Sequence, residues 1–152
     1  MDYDFASDLK VVSAVAPAIY TTSQVSLALN TANYPYKALS LAIYVGVGGI
    51  TFTGTNRIDI YMTHSDDGVT FIPVTDDDVI LPYSTTATVA LLGPTTGTVK
   101  SIVAAHATAD DSVIGYRGKK QYVTVQAAYG GTHSTGTTLG VDWILSLSLI
   151  HI

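Results

Sequence analysis

Every side-chain carboxylate of this 152-residue chain is an aspartate, twelve in all with no glutamate, and most of them gather at a few places. Asp66 and Asp67 precede Gly68, Asp76 to Asp78 are consecutive, and Asp110 and Asp111 form a further pair. A hard cation such as calcium needs oxygen-rich groups of this kind, so Asp66, Asp67, Asp76, Asp77 and Asp78 are its candidate ligands if their loops converge. No calcium-loop spacing accompanies them, and Asp-Asp-Gly is also a turn sequence. The simpler expectation is turn chemistry, with Asp66, Asp67 and Gly68 setting a hairpin register and no metal or cofactor bound. The four histidines, His64, His106, His133 and His151, lack the spacing of a metal pair and are expected in solvent or at the edge of a core.

Catalytic sets are equally thin. Serine and threonine alternate along extended stretches or crowd into loops, no Gly-x-Ser-x-Gly elbow occurs, and there is no cysteine nucleophile. A glycosidase pair needs one acid in an apolar pocket, whereas nearly every aspartate here lies beside a turn. Gly46-Val47-Gly48-Gly49 lacks the Lys-Ser/Thr of a phosphate loop. The chain therefore reads as a non-enzyme. Tyr34, Tyr36, Tyr116, Tyr122, Tyr129 and Trp143 are numerous enough to line a sugar-binding face, but tyrosine at a sheet surface more often supplies core edge and subunit contact.

The elements that must carry these residues are strands. In Arg57 to His64, Ile58, Ile60, Met62 and His64 alternate with Asp59, Tyr61 and Thr63, and after Asp67-Gly68 the β-rich run Val69 to Val74 closes a hairpin. Leu9 to Val15 is a first strand, ended by Pro17, and Gln24 to Asn30 a second, with Val25, Leu27 and Leu29 on one face. The nearly unbroken apolar run Ala38 to Val47 predicts a central strand covered on both faces. Val99 to Ala107 and Val141 to Ile152 add further strands, with a helical turn competing at Ala104 to Ala107. Tyr83 to Thr98 reads as a long surface excursion. Ser112 to Arg117 and Gln121 to Ala128 form a second hairpin turning at Gly118. Eight or nine strands with no long helix predict an all-β, single-domain antiparallel β-sandwich over residues 9–152, of jelly-roll or immunoglobulin-like type, preceded by a loose arm at residues 1–8.

Composition sets limits. Apolar residues make up 47% and charged residues 12%, about half the usual charged share of ~25%, so some apolar surface is expected to meet another subunit. The formal net charge of −5 argues against nucleic acid, which needs a basic stripe. The acidic opening Met1 to Asp8 is unlike a secretory signal, and no apolar stretch reaches the ~20 residues of a membrane helix, so the expected place of synthesis is the cytoplasm, with no membrane partner.

The run Val113-Ile114-Gly115-Tyr116-Arg117-Gly118-Lys119-Lys120-Gln121-Tyr122-Val123-Thr124-Val125 resembles a recurring hairpin in small structural proteins of tailed bacteriophages. The opening Asp8 to Val15 and the hairpin His64 to Phe71 are similar to the same group. That resemblance implies a virion component, a decoration or cement protein on the capsid exterior, with the major capsid protein as partner and a homotrimer as its state. Under this reading Tyr3, Phe5, Tyr83, Tyr129, Ile150 and Ile152 are the expected subunit or shell contacts. The alternatives are a head-tail connector or tail protein, and a carbohydrate-binding module for host attachment.

Overall fold

The computed structural model describes residues 9–35, 38–47, 51–53, 55–80 and 97–146. Within them the chain forms β1 (Leu9–Tyr20), β2 (Gln24–Val25), β3 (Leu29–Asn30), β4 (Ala38–Val45), β5 (Arg57–Ser65), β6 (Ile72–Pro73), β7 (Val79–Ile80), β8 (Thr98–Ile102), β9 (Asp110–Tyr116), β10 (Tyr122–Gly130) and β11 (Thr137–Ser146). Two three-residue 3-10 turns, Thr31–Asn33 and Asp76–Asp78, are the helical elements among the described residues. The count exceeds eight or nine because four strands are only two residues long, too short for any periodicity to reveal. The arm at residues 1–8, most of the excursion after Tyr83, and Tyr3, Phe5, Tyr36, Tyr83, Ile150, His151 and Ile152 lie outside the described residues.

Two antiparallel sheets pack face to face. One has the order β1-β11-β4-β9-β7; in the other β10 lies between β2–β3 and β5, whose far side pairs with β6 and β8. Taking β2 and β3 as one interrupted strand and setting aside the short β6 and β7, the orders are first-eighth-third-sixth and second-seventh-fourth-fifth. This is the jelly-roll arrangement of the two expected alternatives. Successive long strands mostly switch sheets, so sequence neighbours meet across the core rather than along a ladder.

Alternation drives the packing. Leu39, Leu41, Ile43 and Val45 of β4, Leu139, Val141, Trp143 and Leu145 of β11, and Ile114 of β9 point inward from the first sheet. They meet Ile58, Ile60 and Met62 of β5 and Val123, Val125 and Ala127 of β10. At about 1.5–3 kcal/mol for each large apolar side chain removed from water, this layer is the principal source of stability in a chain without disulfides.

Several expectations need correction. Pro17 does not end β1: the strand continues to Tyr20 because β1 is an edge strand whose register shifts between Val15 and Ala18, which accommodates a residue with no N–H. Gln24 to Asn30 is not one strand. Ser26 turns inward, its N–H donating to Val125 O at 2.9 Å and its hydroxyl accepting from Val125 N–H at 3.0 Å, which leaves Val25 and Leu27 exposed. β4 is central but covered on its inner face only, since Tyr44 on its outer face is 40% exposed. Finally, β9 and β10 are not a hairpin. They belong to different sheets, and Arg117 to Gln121 is a corner between layers. Of the hairpin after β5, only Ile72–Pro73 pairs back, and Ala104 to Ala107 is not helical.

Candidate functional site

The corner at Gly118 gathers several of the residues singled out for chemistry, among them His64, Asp66, Asp77, Asp78 and Tyr116. A Cβ on Gly118 would overlap the ring and hydroxyl of Tyr116, so the glycine is required by close approach. The inward-facing Tyr116 hydroxyl lies 3.0 Å from Nδ1 of His64, which is 3% exposed and comes from the opposite sheet. Burial pushes Tyr116 up to about 12 despite a hydrogen bond from the Lys120 N–H. Burial also holds His64 below its usual value, outweighing Asp78, whose carboxylate lies 3.8 Å from Nε2. Asp78 is pushed up by burial, yet lies below the usual carboxylate range because the Thr75 N–H and hydroxyl donate to it at 2.8 and 2.9 Å.

Of the candidate calcium ligands, Asp66, Asp67 and Asp78 have engaged carboxylates. Asp66 pairs with Lys120. Asp67 accepts hydrogen bonds from the N–H groups of Thr70 and Val69 and from the Ser65 hydroxyl, at 2.7, 2.8 and 2.7 Å, which hold it well below the usual carboxylate range. Gly68 follows with φ of +73°, the left-handed turn position, so Asp67-Gly68 fixes the loop that leaves β5. Asp76 and Asp77 offer main-chain carbonyls to Arg117. Asp66, Asp77 and Asp78 do share one cleft with His64, but Arg117, Lys119 and Lys120 line it too. Among the described residues, no group of three His or Asp side chains is arranged to hold a metal.

The aromatic residues do not form one face. Trp143 and Tyr116 are inside the core and Tyr122 lies on the outside of the second sheet, beside Gly68. Tyr129, an expected contact residue, instead shares the inward side of Ile58, with its ring edge-on to His133 at 5.0 Å. Its hydroxyl is buried with no hydrogen-bond partner, and burial raises it to about 12. His133 is itself buried, and His106 stacks at 5.8 Å on Phe52.

The two outer faces of the sandwich differ in kind. On the second sheet, polar groups satisfy one another across strands: Thr63 with Thr124 at 2.6 Å, Tyr61 with Gln126, and Arg57 with Asp59 and Ser101. On the first sheet, register places Val11 beside Ile144 and Ser40, then Gly115 and Ile80, and Asp142 beside Ala42 and Val113. Val11, Ile19, Ile80 and Val113 are each more than half exposed, at 58%, 69%, 58% and 55%. A shallow groove of about 250 Å³ crosses this face, floored by Ala42 and Gly140 and walled by Pro17, Tyr44 and Val113.

The outer sheet face is what sequence reasoning missed. Its signal lay in Ala38 to Val47, where the second set of alternating positions, Ala38, Ser40, Ala42 and Tyr44, is small or aromatic instead of charged. An apolar run reads equally as a strand buried on two sides or as one whose outer side is a contact surface. Searches of protein-family models, curated proteins and solved structures find no match for the chain.

Proposed function

We propose that this chain is a non-enzymatic structural protein of a tailed-bacteriophage virion, a decoration protein that binds the outside of the icosahedral head and stabilises it. The observation that carries this reading is the contrast between an outer face of cross-strand polar pairs, with Val25 exposed at its edge, and one that carries four apolar side chains more than half exposed. Exposed apolar side chains grouped on one sheet face favour a protein-protein contact. Jelly rolls occur in both virion and lectin domains, so the fold alone does not choose between them. The scattering of Tyr116, Tyr122, Tyr129 and Trp143 disfavours the sugar-binding alternative, which needs aromatic rings presented together.

Mechanically, a bound decoration protein adds buried area between capsid subunits, and internal pressure must then break those contacts as well as the shell's own. The resemblance implies a homotrimer, with the major capsid protein as partner. Co-sedimentation of purified protein with expanded empty heads tests the reading. Saturable binding that raises the disruption temperature of the heads supports it. Binding to tails alone, or clear hits on a glycan array without head binding, overturns it.

A further inference from the structure

Asp111 and Asp142 stand on either side of β4, level with Tyr44 and Ala42, and line the groove of the apolar face. Neither makes an ion pair or side-chain hydrogen bond among the described residues. Two strand spacings put them about 10 Å apart laterally, enough for one long side chain to lie between them. No lysine or arginine among the described residues faces outward between them.

The counter-charge this chain could offer a second copy is small. Arg57 is held by Asp59, Lys100 by Asp110 and Lys120 by Asp66, while Arg117 spans the carbonyls of Asp76 and Asp77; Lys10 and Lys119 are the other exposed cations without an ion pair among the described residues. With a net charge of −5, a second copy brings chiefly more carboxylate to this face. Phosphate-bearing partners, nucleic acid or anionic lipid, are repelled by the same two acids.

We infer that the outer face of the first sheet docks a different protein whose apolar surface projects a lysine or arginine into the groove between Asp111 and Asp142. The stem of that side chain packs on Ala42, Val113 and Pro17, its charged head meets the carboxylates, and Tyr44 presents a ring to it. Naming a capsid subunit as that protein rests on the proposed function; the groove chemistry does not.

Two measurements separate these claims. In head co-sedimentation, the double variant Asp111→Asn/Asp142→Asn is expected to bind at least tenfold more weakly and to lose most of the salt dependence of the unaltered protein. Thr124→Arg, on the opposite outer face, is expected to bind normally. The second probe needs no head: Nα-acetyl-argininamide at millimolar concentration is expected to shift the methyl resonances of Ala42 and Val113, and not to do so in the double variant. Methyl shifts without head binding retain the groove and overturn the capsid partner. Absent methyl shifts, or a double variant that binds heads like the unaltered protein, overturn the groove assignment.

Discussion

His64 of β5 and Tyr116 of β9 join the two sheets through a single buried hydrogen bond of 3.0 Å. With the Tyr116 hydroxyl accepting from the Lys120 N–H, its own proton is directed at Nδ1, which leaves the ring proton on Nε2, toward Asp78. Three chain segments therefore meet at one imidazole.

This imidazole should make stability sensitive to mild acid. Burial lowers the folded-state value of His64, so the unfolded chain takes up the proton more readily. The associated stability is fully present above the ordinary histidine value of about 6.5 and is lost as pH falls from there toward the folded value. Urea midpoints measured between pH 7.5 and 5 should fall for the unaltered protein and flatten for His64→Gln. Tyr116→Phe, which strands Nδ1, should cost about 1–3 kcal/mol at pH 7.5.

Gly118→Ala should be costly although no positive φ is involved, because its Cβ collides with Tyr116, a ring fixed by the core. Overpacking of this kind costs about 1–3 kcal/mol, and a urea midpoint shift without change of slope would show it. An unchanged midpoint would mean that the corner relaxes freely.

Arg57 donates two 2.8 Å hydrogen bonds to the buried carboxylate of Asp59. Arg57→Met leaves that carboxylate with only the Ser101 hydroxyl and should cost about 1–3 kcal/mol, less than a fully buried pair because Arg57 is partly exposed. Arg57→Met/Asp59→Leu should recover much of the loss. A double-mutant cycle by thermal denaturation measures the coupling.

The strands were legible where alternation was clean. Ile58, Ile60, Met62 and His64 are all inward and buried, as their spacing requires. What sequence could not show was which strands are neighbours: Val113 to Val125 has the local signature of a hairpin, yet β9 and β10 part at Gly118 into different sheets. Nothing local distinguishes a turn within a ladder from a corner between layers, since both need a tight, glycine-bearing bend. Likewise the alternation of Val25, Leu27 and Leu29 gave way to Ser26, whose hydroxyl and N–H both bond to Val125. Asp67 accepts hydrogen bonds within its own turn, a role that a local sequence pattern can suggest, whereas Asp111 and Asp142 gained meaning only when β4 brought them onto one face.

Because the chain has no cysteine, single cysteines can report directly on which face meets the partner. Val113→Cys on the apolar outer face and Thr124→Cys on the polar one are labelled with a thiol reagent, with and without expanded heads. The account predicts that heads shield Val113→Cys and leave Thr124→Cys reactive. Equal labelling of Val113→Cys with and without bound heads, or shielding of Thr124→Cys instead, would contradict it.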